Sequence, residues 1–257
     1  MLTQLKEILG LPESCIVNSK LTKAFFKRNF ELTMIERKLL EDSSVVITMD
    51  LLASIKTANC NIQSFIDEQM QFVEILVIAV QTSEPDFDKN KQKIAELIQK
   101  YIPYPILLCI YSETQFLMNT CDKRINRNEI NKRTVEMSYF TENIIRYTNE
   151  DRQRAFLESL AFAELDKQNL RTVYESYTSS IIALQAAQLT GNFTVRLNER
   201  SRQNVLNLEK MALLESEIIT LQNQAKKETQ LNTQVQLNDA IQERRKEIKQ
   251  LENTLNS

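Results

Sequence analysis

Acidic and basic side chains on the predicted strands are the residue types that could hold a metal ion and cleave a phosphodiester. A restriction-type nuclease needs an acidic residue on one strand and an acid-x-Lys pair on the next. The strands offer Asp50, Lys56 and Glu74, but the residue two positions after Glu74 is Leu76, not a lysine. Because this spacing fails, we predict neither a nuclease nor a metal site.

The composition removes most other catalytic sites. The chain has no histidine, which excludes the commonest general base and the usual serine and cysteine triads. It has two glycines, too few for a phosphate-binding loop or a dinucleotide fingerprint. Its cysteines, Cys15, Cys60, Cys109 and Cys121, form no CxxC pair, and we expect reduced thiols. We therefore expect no catalytic residue, no cofactor and no enzyme activity.

One basic segment, DKRINRNEINKR at 122–133, could contact nucleic acid, because lysine and arginine neutralise backbone phosphates. Its basic residues are Lys123, Arg124, Arg127, Lys132 and Arg133. The same composition is typical of a solvated hairpin loop, so both interpretations stay open. A net charge of −2 and a pI near 5.6 give the chain no global attraction to nucleic acid or anionic membranes.

The sequence predicts no membrane segment. The N-terminal residues MLTQLKEILGLPESC lack a basic start followed by an apolar core, which is the pattern of a signal peptide. The longest apolar runs, FVEILVIAV and PILLCIY, are far shorter than the roughly 20 residues of a spanning helix. We expect a soluble, cytoplasmic protein.

A mixed domain over residues 1–146 must position these candidates. Helical patterns come first, and the β-branched stretch SSVVITMDLLASIKTANCNI then reads as a strand. QFVEILVIAVQ and YPILLCIY read as buried strands separated by the helix KNKQKIAELIQKYI. Two more strands follow, ETQFLMNTCDKR and KRTVEMSYF. This order predicts an α+β domain with a mostly antiparallel sheet and helices packed on one face.

Two prolines mark the boundary between helix and strand in the run IPYPI. A residue before proline is pushed out of the α region, so Ile102 and Tyr104 favour extended geometry. We predict that Pro103 ends the helix and that Pro105 is the first residue of the next strand.

Residues 147–257 read as helix. A continuous amphipathic pattern over 147–191 predicts a helical connector that stops at Gly191, and residues 201–257 predict a coiled coil. The register slips in KKETQLNTQVQLN, which leaves two alternatives, one extended helix or an antiparallel hairpin with its turn near Leu231–Val235. We favour the hairpin because both arms are short and have similar apolar seams. The apolar seam residues, which could dock a partner, are Leu214, Ile218, Leu221, Leu237, Ile241, Ile248, Leu251 and Leu255.

Four stretches carry a family resemblance: LGLPESCIVNSKLTKAFF, KIAELIQKYIPYPILLCIY, LDKQNLRTVYESY and KETQLNTQVQLNDAIQERRKEIKQLE. In this order, from Leu9 to Leu251, they are similar to a bacterial family catalogued as domain of unknown function 4391. Family members often carry tryptophans in the first strand region and after the last strand. This chain has none, with Met49 near the first place. The resemblance implies partners among superfamily-two helicases and DNA methyltransferases of antiphage operons, and it implies no catalytic residue.

We therefore expect a non-enzymatic accessory or scaffold subunit of a bacterial antiphage defence complex. Its helical C-terminal half would bind a superfamily-two helicase or a DNA methyltransferase, and the coiled coil would also allow self-association. The alternative is a nucleic-acid-binding module that uses the basic hairpin at 122–133. Under the first interpretation, contact with nucleic acid could also be indirect, through the partner.

Overall fold

The chain divides into two compact units, Met1–Ile181 and Ile182–Ser257. The residues that the computed structural model describes are 1–126, 133–195, 199–226, 228 and 230–256.

The first unit combines short helices with a large sheet. Its helices are α1 (Leu2–Leu9), α2 (Lys23–Asn29), α3 (Met34–Glu41), α4 (Thr57–Cys60), α5 (Glu84–Tyr101), α6 (Asp151–Ser159) and α7 (Leu170–Thr190), which continues into the second unit. Its strands are β1 (Ile16–Lys20), β2 (Thr48–Lys56), β3 (Phe65–Ile66), β4 (Gln71–Phe72), β5 (Glu74–Gln81), β6 (Ile106–Tyr111), β7 (Gln115–Ile125), β8 (Arg133–Phe140) and β9 (Ile144–Ile145).

The main sheet has the order β1-β2-β5-β6-β7-β8, with β9 paired to β7. Only the β5–β6 pair is parallel among these neighbours, and α5 is the crossover helix that this pairing requires. The remaining neighbours run antiparallel. The predicted mixed domain with a mostly antiparallel sheet is therefore confirmed, and β5 and β6 lie at its centre.

Helices cover both faces of this sheet, so the predicted packing on one face is wrong. Ile78, Leu108 and Leu117 face one apolar core, to which α2, α3 and α5 contribute. On the opposite face Val77 and Cys109 are also fully buried, and the first turns of α7 hydrogen-bond to the strands there. The physical reason is that β5 and β6 are almost wholly apolar, and strands of that composition need cover on both sides.

The two prolines act as predicted at the end of α5. The helix ends at Tyr101, and Ile102 has extended geometry, with φ −90° and ψ 117°. Strand β6 then begins at Ile106, one residue later than predicted. The carbonyl of Pro105 nevertheless joins the ladder, because it accepts a hydrogen bond of 2.9 Å from the Leu76 N–H.

The predicted continuous helix over 147–191 is interrupted, and this correction has a local cause. After α6, a 3₁₀ turn at Phe162–Glu164 and an irregular stretch precede α7. The Asn169 carboxamide oxygen accepts from the N–H groups of Arg171 (2.9 Å) and Thr172 (3.1 Å), which caps a new helix start. The predicted end is confirmed, because Gly191 follows α7 with φ +77°.

The second unit contains the end of α7 together with α8 (Glu199–Ala225) and α9 (Leu231–Asn256), and α8 and α9 pack against each other. The turn predicted near Leu231–Val235 is misplaced, because these residues form the first turn of α9. Within the described residues, no helix is both long and apolar enough to cross a bilayer.

Candidate functional site

Lys123 lies inside the first unit, which corrects its prediction as a phosphate contact. Its side chain is only 8% exposed, and the ammonium donates to the carbonyl oxygens of Ile102 (2.7 Å) and Tyr104 (2.8 Å). Burial lowers the pKa of this amine to about 8. A side chain bound in this way cannot reach a ligand outside the protein.

The other basic residues of the 122–133 segment are partnered or fall outside the described residues. Arg124 forms an ion pair of 3.0 Å with Glu136 on the neighbouring strand β8. Arg133 donates to the carboxamide oxygen of Gln71 on β4. Arg127 and Lys132 lie outside the described residues. The structure therefore assembles no group of free cations from the described part of this segment.

The run from Ile102 to Ile106 is instead the centre of a buried polar network. The Lys123 ammonium donates to the carbonyls of Ile102 and Tyr104, and the Gln99 amide donates to the carbonyl of Ile106 (3.3 Å). The Tyr174 hydroxyl accepts from the Cys121 N–H (2.9 Å) and lies 3.2 Å from the Ile106 carbonyl. These side chains bind backbone groups at the point where the β6–β7 ladder ends.

The titratable groups of this network are poorly suited to chemistry. Burial raises the pKa of the Cys121 thiol to about 11 and that of the Tyr174 hydroxyl well above its usual value. The thiolate is the nucleophilic form of cysteine, and at neutral pH it is scarcely populated here. The arrangement therefore positions backbone, and we assign it no catalytic role.

The acidic candidates lie apart on the sheet. Lys56 and Glu74 are opposite each other on β2 and β5, and Ser54 donates to the Glu74 carboxylate. Asp50 pairs with Ala79, six strand residues from Lys56, which corresponds to about 20 Å. Across the described residues, no three cysteine or carboxylate side chains meet in a group that could hold a metal ion.

A polar cleft of about 480 Å³, which the sequence did not indicate, lies beside the apolar residues Leu117 and Phe140. The Lys91 ammonium in this cleft lies 2.6 Å from both the Asp88 carboxylate and the Asn143 carboxamide oxygen. Because this charge is already neutralised within the protein, the cleft carries no argument for a particular ligand.

The two helices of the second unit run antiparallel. Lys210 pairs with Glu247 (2.5 Å), and Glu217 pairs with Arg244 (3.2 Å), so residue numbers rise on α8 as they fall on α9. Arg244 lies three residues after Ile241 and four before Ile248, so it interrupts the apolar seam of α9 with a charge.

The predicted seam residues whose side chains are described differ in their burial. Leu214 and Ile241 are buried, with 6% and 5% of their surface exposed. The side chain of Leu255 lies outside the described residues. The half-buried members are Ile218, Leu221, Leu237, Ile248 and Leu251. The best-buried seam positions therefore expose almost no surface to a partner.

The exposed apolar side chains of this unit are ones that the heptad pattern passed over. Leu213, Ile219 and Val235 are 60%, 59% and 53% exposed. None of them occupies a seam position, and the only sequence signal for them was an apolar residue outside the heptad. Among the apolar side chains of α8 and α9 that the structure describes, these three expose the most surface.

Comparison with known proteins gives one match. The family model described as domain of unknown function 4391 matches residues 9–248, which confirms the resemblance drawn from the sequence. No curated protein and no solved structure matches the chain.

Proposed function

Because the chain belongs to the family described as domain of unknown function 4391, we propose that it is a non-enzymatic accessory subunit of a bacterial antiphage defence complex. In this proposal the protein works in the cytoplasm and binds a superfamily-two helicase or a DNA methyltransferase. The support for this partner class is the sequence resemblance alone, which implies companions of this kind.

The observation that carries a docking role is the apolar surface of α8 and α9. Leu213, Ile219 and Val235 expose more than half of their surface to water. We propose that α8 and α9 form a coiled-coil hairpin that presents these side chains to the partner. The seam holds the hairpin together, and the ion pairs of Glu217 and Lys210 favour one register.

The alternative function, a nucleic-acid-binding module at 122–133, has less support. Lys123 is buried, Arg124 is paired with Glu136, and Arg133 is bonded to Gln71. No described residue of this segment offers a free cation for a phosphate group.

Co-purification tests the docking role. The chain is expressed together with the helicase or methyltransferase of its operon, and the complex is recovered through a tag on the enzyme. We expect the triple variant Leu213→Asp, Ile219→Asp, Val235→Asp to lose at least tenfold in recovery. Ile66→Asp is the matched control, because Ile66 is 61% exposed but lies in the first unit. If wild-type chain is not recovered, or if the triple variant is recovered as well as the control, the proposal is wrong.

A further inference from the structure

Two cysteines of the first unit lie in segments that pack against each other. Cys15 is the last residue of the 3₁₀ turn Glu13–Cys15, and Cys60 is the last residue of α4. The turn contacts α4, and the Ser14 hydroxyl donates to the Asn59 carbonyl (2.6 Å) beside both cysteines. Residues that are far apart in the sequence are therefore brought together here.

Both thiols are directed at the same backbone residue, Lys56. The Cys15 thiol donates to the Asn59 carboxamide oxygen (3.4 Å), and that oxygen also accepts from the Lys56 N–H (2.9 Å). The Cys60 thiol donates to the Lys56 carbonyl (3.2 Å). Burial raises the pKa of the Cys15 thiol, and the negative charge of a Cys60 thiolate raises it further, which is the effect of a nearby like charge.

The two thiols differ in their access to solvent. Cys15 is fully buried, whereas Cys60 is only half-buried and can meet a dissolved reagent. A thiol is a weak hydrogen-bond donor, so the bond to Lys56 does not prevent Cys60 from turning towards Cys15. Cys109 and Cys121 lie instead on the central strands β6 and β7, and burial raises the pKa values of their thiols to about 12 and about 11. Cys60 is therefore the thiol best placed to react first.

We propose that Cys15 and Cys60 form a disulfide in the folded chain when it meets a disulfide oxidant such as oxidised glutathione. The Cys60 thiolate attacks one sulfur atom of the oxidant, and one glutathione leaves as its thiolate. The Cys15 thiolate then attacks the Cys60 sulfur atom of this mixed disulfide, and the second glutathione leaves. The protein loses two protons and two electrons, and one oxidised glutathione becomes two reduced ones.

The bridge ties the start of the edge strand β1 to the helix that follows β2. In a reducing compartment the two free thiols are the resting form, so the bridge forms only under oxidising conditions. The site is thus a modification site that responds to the redox state of its surroundings.

Mass spectrometry of the pure, folded, full-length chain after incubation with excess oxidised glutathione tests the bridge. We expect a product that has lost two hydrogen atoms and carries no glutathione. After digestion with trypsin in the absence of reductant, peptides 7–20 and 57–89 should be recovered as one linked species, because they contain Cys15 and Cys60. Dithiothreitol should separate them.

Single substitutions separate the two steps of the reaction. Cys15→Ser should stop at a chain with one glutathione on Cys60, and Cys60→Ser should slow the loss of free thiols at least tenfold. Cys121→Ser is the matched control, because it also removes a buried thiol but keeps a donor for Gln99, and it should form the bridge as the wild type does. Far-ultraviolet circular dichroism checks that every variant keeps its fold.

Four outcomes would overturn the proposal. They are a wild-type chain that keeps all its thiols, one that stops at the mixed disulfide, a bridge between other cysteines, and a Cys60→Ser chain that reacts as fast as the wild type. No helicase or methyltransferase is present, so this result is independent of the proposed function.

Discussion

Replacing Lys123 by methionine tests whether a buried ammonium opposes folding at neutral pH. Burial lowers the pKa of this amine from 10.5 to about 8. One pKa unit corresponds to about 1.4 kcal/mol, so keeping the proton in the folded state costs about 3 kcal/mol. The ammonium offsets part of this cost by binding the carbonyls of Ile102 and Tyr104, which methionine cannot do.

The sign of the pH dependence follows from the direction of the shift. Between pH 8 and 10.5 the unfolded chain holds a proton on Lys123 that the folded chain has already released. The contribution of Lys123 to the free energy of unfolding therefore rises with pH in this window. Methionine has no proton to release. We therefore compare the free energies of unfolding of the two proteins. The wild-type free energy of unfolding minus that of Lys123→Met should increase by about 3 kcal/mol from neutral pH to pH 10.5.

Urea unfolding followed by far-ultraviolet circular dichroism measures this difference at each pH. The raised pKa of buried Tyr174 lowers stability at high pH, but it does so in both proteins and cancels. Lys89→Met is the matched control, because Lys89 is exposed, and its difference should stay flat. A flat difference for Lys123→Met would show that the amine is solvated and would refute the reasoning.

Two further substitutions test contacts of the first unit by the same unfolding measurement. Glu36→Gln should cost about 1–2 kcal/mol at neutral pH, because the carboxylate caps α3 and pairs with Lys100. Hydrogen bonds from Lys100, Thr33 and Tyr101 hold the pKa of Glu36 at about 2. The loss of stability should therefore shrink as pH falls from 4.5 towards 2, and a loss that stays constant would contradict this role of Glu36. Tyr174→Phe should cost about 1–3 kcal/mol, because the Cys121 N–H loses its acceptor. Tyr104→Phe is the control, because the Tyr104 ring is exposed. If Tyr104→Phe and Tyr174→Phe lowered the free energy of unfolding equally, the role given to the Tyr174 hydroxyl would be wrong.

Features governed by local backbone chemistry could be predicted from the sequence. Proline geometry located the end of α5 and the start of β6, and Gly191 located the end of α7. The apolar runs identified β5 and β6 as buried strands, and both lie in the middle of the sheet. Each of these inferences needed only neighbouring residues, which is why they held.

Features that depend on distant residues could not be predicted in the same way. Lys123 looked like a loop cation because its sequence neighbours are charged, but alternation along β7 places it on the same face as Leu117 and Cys121. No strand was predicted at β1, where four of the five side chains are exposed and no alternation of buried and exposed positions marks the strand. The break before α7 depended on the Asn169 side chain, which the amphipathic pattern ignored.

The cover that α7 provides for the sheet has a consequence for synthesis on the ribosome. Thr178 bonds to Thr120, which leaves the exit tunnel 58 residues earlier. At a synthesis rate of about 5–20 residues per second, one apolar face of the nascent sheet stays exposed to water for about 3–12 s. Chaperone capture should therefore peak on chains stalled between these two points, and a truncation ending before Leu170 should precipitate rather than fold.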